Sequence, residues 1–175
     1  MLVFLDTEFS DLLLPELISI GLIDEDGRSL YLELDNIGPS VCSKFVQESV
    51  WPLLGGPKVS PPHASDLLAE YFAPYTGNLA LWTDAPSFDI KMLNVVAPED
   101  LRFRVAPFEF ETEKQRQLYL KESERGFLEG LRRHHALDDA KAARLGWLAA
   151  QRAKVPPMYE ALSPAFAGKF KSPPC

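Results

Sequence analysis

The sequence is poor in cysteine and histidine and has no long apolar run. Its 175 residues include two cysteines, Cys42 and Cys175, and three histidines. Two cysteines cannot build a four-thiolate zinc site, and they read as ordinary reduced thiols, which suits a cytoplasmic protein. No stretch approaches the roughly 18 consecutive apolar residues that a membrane-spanning helix needs, so no membrane partner is expected. The N-terminus lacks a basic lead and meets Asp6 almost at once, unlike a signal peptide. Internal repeats and low-complexity segments are not evident. Nor is there an overall excess of positive charge. The formal net charge of −7 argues against a protein that coats nucleic acid by charge alone.

What is present suits one globular domain with a sizeable core: 46% hydrophobic and 25% charged residues. The charge is uneven. Residues 1–100 hold 4 Lys/Arg against 16 Asp/Glu, and residues 101–175 hold 14 against 9. An acidic half beside a basic half suits metal-binding carboxylates near a surface that tolerates phosphate, although such asymmetry is common.

Three strands open the chain. Val3–Ser10 is an apolar run leading into acids, Glu16–Asp24 is rich in Ile and Leu, and Ser29–Leu34 returns after the hairpin signal Asp26-Gly27. Helical spacing over Ser43–Leu54 ends at Gly55-Gly56-Pro57. Ser60-Pro61-Pro62 starts a second helix that runs to about Ala73. Asn78–Trp82 reads as a fourth strand, and a helix over Ser87–Val96 follows. Phe103–Phe110 reads as a fifth strand, placed at an edge by Pro107. Two helices, about Glu111–Gly130 and Ala136–Lys154, complete a domain over 1–154. The proline-rich segment 155–175 reads as an extended tail. Leading antiparallel strands followed by strand–helix alternation predict an α/β fold with a mixed five-stranded sheet flanked by helices.

Three acidic sites stand out. Asp6 and Glu8 lie two apart on a strand and so share a face. Two carboxylates on one face of a core strand repel each other and lose hydration, and a divalent cation is the usual compensation. The alternative is a strand that ends at Asp6, with Glu8 solvated in a loop. The second site is Asp84, in a turn, with Asp89 in the first turns of a helix. The third is His134-His135-Ala136-Leu137-Asp138-Asp139 at a helix head. Taken singly, the second and third sites each have an alternative reading as caps and dipole-favoured acids. Together, four carboxylates and a histidine can hold two hard cations that clamp a phosphate, with the histidine as base for a water.

Asp6-Thr7-Glu8, Phe88-Asp89 and the His134-x4-Asp139 spacing, in that order, resemble the three motifs of the DEDDh 3′–5′ exonucleases. Glu16-Leu-Ile-Ser-Ile-Gly21 further resembles the small stand-alone bacterial 3′–5′ exoribonuclease branch. The resemblance covers residues 3 to about 150. It implies a ribonuclease-H-like fold and two Mg²⁺ or Mn²⁺ ions. Asp6 would bridge both ions, Glu8 and Asp139 would complete the site of the nucleophile-activating ion, and Asp89 would hold the second. His134 would be the general base, because only it stands five before Asp139. Asp138 is then a spare acid, expected at the surface. The second motif often carries Asn five residues before its Asp, where this chain has Asp84. That leaves Asp84 as either a further ligand contact or an inert turn residue.

The implied partner is the 3′ end of a single-stranded nucleic acid, RNA ahead of DNA, and a homodimer is left open. Phe9 and Ser10 directly follow Glu8 and are expected, with Phe88, to border the 3′-terminal nucleotide, either stacking on its base or packing as rim residues. Arg132, Arg133, Lys141 and Arg144 cluster at the third motif, either holding backbone phosphates or forming a solvated helix face. A catalytically silent nucleic-acid-binding module is the competing class.

Overall fold

The computed structural model describes residues 1–153 other than 76, 78 and 108. The expected tail at 155–175 lies outside the described residues. Among the described residues the fold is α/β: a six-stranded mixed sheet in the order Lys58–Val59 (β4), Ser29–Leu34 (β3), Leu17–Asp24 (β2), Leu2–Phe9 (β1), Ala80–Trp82 (β5), Arg104–Val105 (β6), flanked by helices. β1 (Leu2–Phe9), β2 (Leu17–Asp24) and β3 (Ser29–Leu34) form the antiparallel meander, with β1 at the centre of the sheet. The turn between β2 and β3 requires Gly27, whose φ of 99° is the left-handed region. The Asp24 carboxylate holds that turn by accepting from the N–H groups of Gly27 and Arg28. β2 is buried along its whole length, as expected of a strand covered on both faces.

The sheet has one strand more than the sequence predicts. The extra strand is β4 (Lys58–Val59), a two-residue edge strand parallel to β3. Two residues between Pro57 and Ser60-Pro61 are too few to carry a period. β5 (Ala80–Trp82) pairs parallel with Leu2–Phe4 of β1. The predicted fifth strand over 103–110 is ladder-paired only at Arg104–Val105 (β6) among the described residues, and it does lie at the edge. The helical stretch over 43–54 is likewise shorter. α1 (Lys44–Ser49) gives way at Trp51–Leu53 to a tighter turn containing Pro52, which has no N–H to continue the α-helical ladder.

Side-chain alternation along β1 splits the core. Val3 and Leu5 pack with α2 (Pro61–Phe72) and α3 (Pro86–Val96) through Leu68, Phe72, Met92 and Leu93. Leu2 and Phe4 pack on the opposite face with α4 (Glu113–Leu128) and α5 (Ala136–Arg152) through Tyr119, Ala140 and Trp147. By the same alternation, Asp6 and Glu8 continue the α4/α5 face. α5 can approach the sheet because Gly21, opposite Asp6 on β2, has no side chain. A methyl there would lie 2.2 Å from the Leu137 amide nitrogen. Among the described residues no helix is long and apolar enough to cross a membrane.

Candidate active site

β5 stops at Trp82 while its parallel neighbour β1 runs on to Phe9. Beyond Phe4, β1 therefore has no ladder partner on that side. Asp89, the fourth residue of α3, fills the gap. Its Oδ1 accepts from the Thr7 N–H at 3.1 Å and from the Thr7 hydroxyl at 2.6 Å. Its Oδ2 accepts from the Thr83 hydroxyl, which in turn accepts from the Ala85 N–H. Asp89 is 1% exposed. A carboxylate from the far face of the sheet is thus brought round the end of β5 to Asp6.

Asp139 arrives from the other face, also as the fourth residue of its helix, α5. The backbone N–H groups of His134 and His135 lie close enough to favour the charged form of its carboxylate. The result is two oxygen triads with one member in common. Carboxylate oxygens of Asp6, Glu8 and Asp139 lie within 4.8 Å of one another, and so do those of Asp6, Asp84 and Asp89. Glu8 is therefore part of the cluster and not a solvated loop residue. Asp84 is exposed at the cluster's outer edge and is a potential ligand that the sequence alone left undecided. Thr7 and Thr83 orient Asp89, a role that the first motif, which contains Thr7, did not announce. Thr7 is 82 residues away from the acid it holds.

Clustering and burial push these acids far from their ordinary behaviour. The Asp6 carboxyl is raised well above the usual range by burial first, then by the charges of Asp89, Glu8, Asp139 and Asp84. Glu8 is pushed up to about 8 by burial, then by Asp139 and Asp89. Asp89 and Asp139 rise to about 6. For both, burial is the largest cause and outweighs the hydrogen bonds that favour the charged form: from Thr7 and Thr83 to Asp89, and from the His134 and His135 backbone to Asp139. Helix N-termini stabilise nearby anions by up to about 2 kcal/mol, and here that does not offset the loss of water.

Asp6, Glu8, Asp84 and Asp139 line a cavity of about 400 Å³ whose other walls include His134, Arg133 and the α4 residues Ser123, Glu124 and Phe127. His134 is exposed, and its ring meets the edge of Phe45 at 5.1 Å. It is the only non-glycine residue with positive φ, at 62°, among the described residues. Such a conformation costs a non-glycine residue about 1–2 kcal/mol, and strained residues of this kind cluster at functional sites.

The remaining expected residues fall in different places. Phe9 and Phe88 stack face to face, with centroids 5.1 Å apart and planes 11° apart, joining the ends of the two elements that carry Glu8 and Asp89. Neither ring is among the residues that line the cavity, and nor is Ser10. It is buried, and its hydroxyl accepts from the Glu16 N–H at 3.0 Å and donates to the Leu14 carbonyl, pinning the loop between β1 and β2. Asp138, expected at the surface, is buried at 6% exposure. Burial pushes its carboxyl up, but donors from Arg132 outweigh that and hold it below the ordinary value. His135 is buried too, and its pKa is lowered by burial and then by the Arg132 charge. Arg144 is spent on the Asp24 and Glu25 carbonyls. Arg133 pairs with Glu124 and lies over the Phe127 ring at 4.0 Å.

No protein-family model matches this chain, and no curated protein matches it.

Proposed function

We propose that this chain is a two-metal-ion 3′–5′ exonuclease of the DEDDh superfamily with a ribonuclease-H-like fold. It would hydrolyse phosphodiester bonds from the 3′ end of RNA and release nucleoside 5′-monophosphates. The observation that carries the reading is the pair of carboxylate triads sharing Asp6. A mixed sheet flanked by helices fits the fold, with β4 as a two-residue addition at one edge. RNA is placed ahead of DNA on the resemblance of Glu16–Gly21 to the exoribonuclease branch.

The donor set fits the implied ions. It offers only oxygen ligands and no thiolate, which suits Mg²⁺ or Mn²⁺ better than Zn²⁺. The raised carboxyls mark a cluster short of positive charge. When bound, two cations would neutralise the triads and supply positive charge to the phosphate oxygens and the leaving 3′ oxygen. The side chains do the rest. Thr7 and Thr83 hold Asp89 in place. His134, beside Asp139 at the cavity wall, takes a proton from the water that attacks phosphorus. The P–O3′ bond breaks as the new P–O bond forms. The 3′ oxygen stays on the shortened strand and gains a proton from solvent, and the phosphate leaves on the released nucleotide.

The deciding experiment is digestion of matched RNA and DNA oligomers, single- and double-stranded, with product sizing and with Mg²⁺, Mn²⁺ or chelator. Metal-dependent release of mononucleotides from RNA supports the reading. Faster loss of DNA would move the substrate to DNA. No release in any arm would favour the silent binding module.

Two substitutions probe the surroundings. His134→Gly is expected to lower kcat by about 10²–10⁴-fold and to leave stability unchanged or raised by about 1 kcal/mol, because it relieves the left-handed backbone. Initial rates and thermal melts read both effects. Phe88→Ala is expected to raise KM for a short RNA by roughly tenfold with little change in kcat, the cost of one lost stacking platform. An unchanged KM would assign the Phe9–Phe88 stack to packing alone.

A further inference from the structure

The doublets Arg132-Arg133, His134-His135 and Asp138-Asp139 are divided between two cavities. Arg133, His134 and Asp139 line the cavity that holds the carboxylates. Arg132, His135 and Asp138 line a neighbouring cavity of about 510 Å³, together with Lys141, Tyr31 and the Gly55-Gly56 turn.

The charge of this second cavity does not balance. Asp138 is the one carboxylate among its described lining residues, and it serves two cations: Arg132 Nε at 2.7 Å and Lys141 Nζ at 3.4 Å. Among the lining side chains one positive charge is left over, and the Glu33 carboxylate buried behind the wall is already held by the Gly55 and Gly56 N–H groups and the Tyr31 hydroxyl. Both cations are open to solvent, with side chains 47% and 36% exposed, so an incoming anion can reach them. His135 supplies a second, independent observation. It is 4% exposed, and its Nδ1 has no hydrogen-bond partner. The Asp138 carboxylate is 3.6 Å from Nδ1, too far for a hydrogen bond. The ring is held at 4.4 Å against Tyr31, whose hydroxyl donates to Glu33. A buried ring nitrogen left unpaired is costly unless a ligand or water fills the place.

We propose that this second cavity binds a phosphate group, with Arg132 and Lys141 as charged donors and the His135 Nδ1–H as a third. In the working enzyme the phosphate belongs to the substrate strand upstream of the scissile bond, so that one strand touches both sides of the 132–135 segment. That assignment rests on the exonuclease reading; phosphate binding itself does not. The same oxyanion chemistry also occurs in the released nucleoside 5′-monophosphate, so the test separates the two sources.

The first arm titrates inorganic phosphate into the full chain without added metal and follows the histidine ring signals by NMR. The His135 signals are expected to move while those of His63 stay. Lys141→Ala, a change at an accessible side chain, is expected to weaken the response about fivefold, and Asp138→Asn to strengthen it by a similar factor, since each alters one charge-assisted contact. A His135 ring that ignores phosphate overturns the site. The second arm is kinetic. Lys141→Ala is expected to raise KM for a short RNA about fivefold at unchanged kcat and to flatten its salt dependence. If KM holds and inhibition by nucleoside 5′-monophosphate weakens instead, the upstream-strand assignment is overturned. If the unmodified chain releases no mononucleotide and His135 still responds, the exonuclease reading has failed and the phosphate site stands.

Discussion

Asp6→Asn is expected to abolish metal-dependent nuclease activity and at the same time to raise the melting temperature of the metal-free protein. Asp6 is the one carboxylate common to both triads, so its loss weakens both ion positions at once. Two-metal stabilisation amounts to several kcal/mol, and each ~1.36 kcal/mol is tenfold, so the fall should be on the order of 10³-fold or more. The stability effect has the opposite sign. The Asp6 carboxyl is raised by burial and by the charges of four other acids, and an amide of the same shape removes that repulsion. A gain of about 1–2 kcal/mol corresponds to roughly 5 °C at this chain length. Rates with Mg²⁺ and melts in chelator check the pair. Activity that survives the substitution would refute the mechanism, and a lowered melting temperature in chelator would mean that Asp6 holds the fold together.

The metal-free protein is expected to lose stability as pH rises from about 4 to about 8, and added Mg²⁺ or Mn²⁺ should restore it. Glu8 moves from 4.5 to about 8, and Asp89 and Asp139 from 3.8 to about 6. Each is raised on folding, so between those limits the folded state holds more protons than the unfolded one, and stability falls with pH. The contribution is fully present below the unfolded values, near pH 4. It is lost through pH 6 for the two aspartates and through pH 8 for Glu8. A tenfold difference in proton affinity is worth about 1.36 kcal/mol, so Glu8 alone, moved from 4.5 to about 8, accounts for a loss on the order of a few kcal/mol, or roughly 10 °C. A cation binds the deprotonated cluster, so its effect on the melting temperature should be larger at pH 8 than at pH 5.5. At 100 times its dissociation constant it adds about 2.7 kcal/mol per site. Glu8→Gln should flatten the pH slope. A melting temperature at pH 8 that does not respond to either metal would remove the ions from the site.

Much of this arrangement was legible in the sequence. Asp6 and Glu8 announce themselves because strand alternation puts residues two apart on one face. The limits of β3 and the span of α2 match their hairpin and proline signals closely. The family spacing picked out His134 and not His135, and His134 is the one that lines the cavity of the acids. Other features left no local trace. β4 is too short to show a period. Asp138 looks like any exposed acid in a first helical turn, and its burial follows from Arg132 and Lys141 closing over it. Ser10 sits next to Glu8 in sequence, yet β1 ends at Phe9, and the serine turns to pin the loop that follows.

The α/β class could be read from the chain unaided, because periodicity and turn residues are local properties, whereas Asp89 and Asp139 were singled out by the resemblance of their motifs to a known family. Two things could not be read there: that Asp84 joins Asp6 and Asp89 in one triad, and that the 132–139 doublets face two cavities. Those are matters of convergence. They depend on where β5 stops, on the close approach of α5 over Gly21, and on a threonine holding an acid 82 residues away. Distances of that kind arise only when separate segments pack.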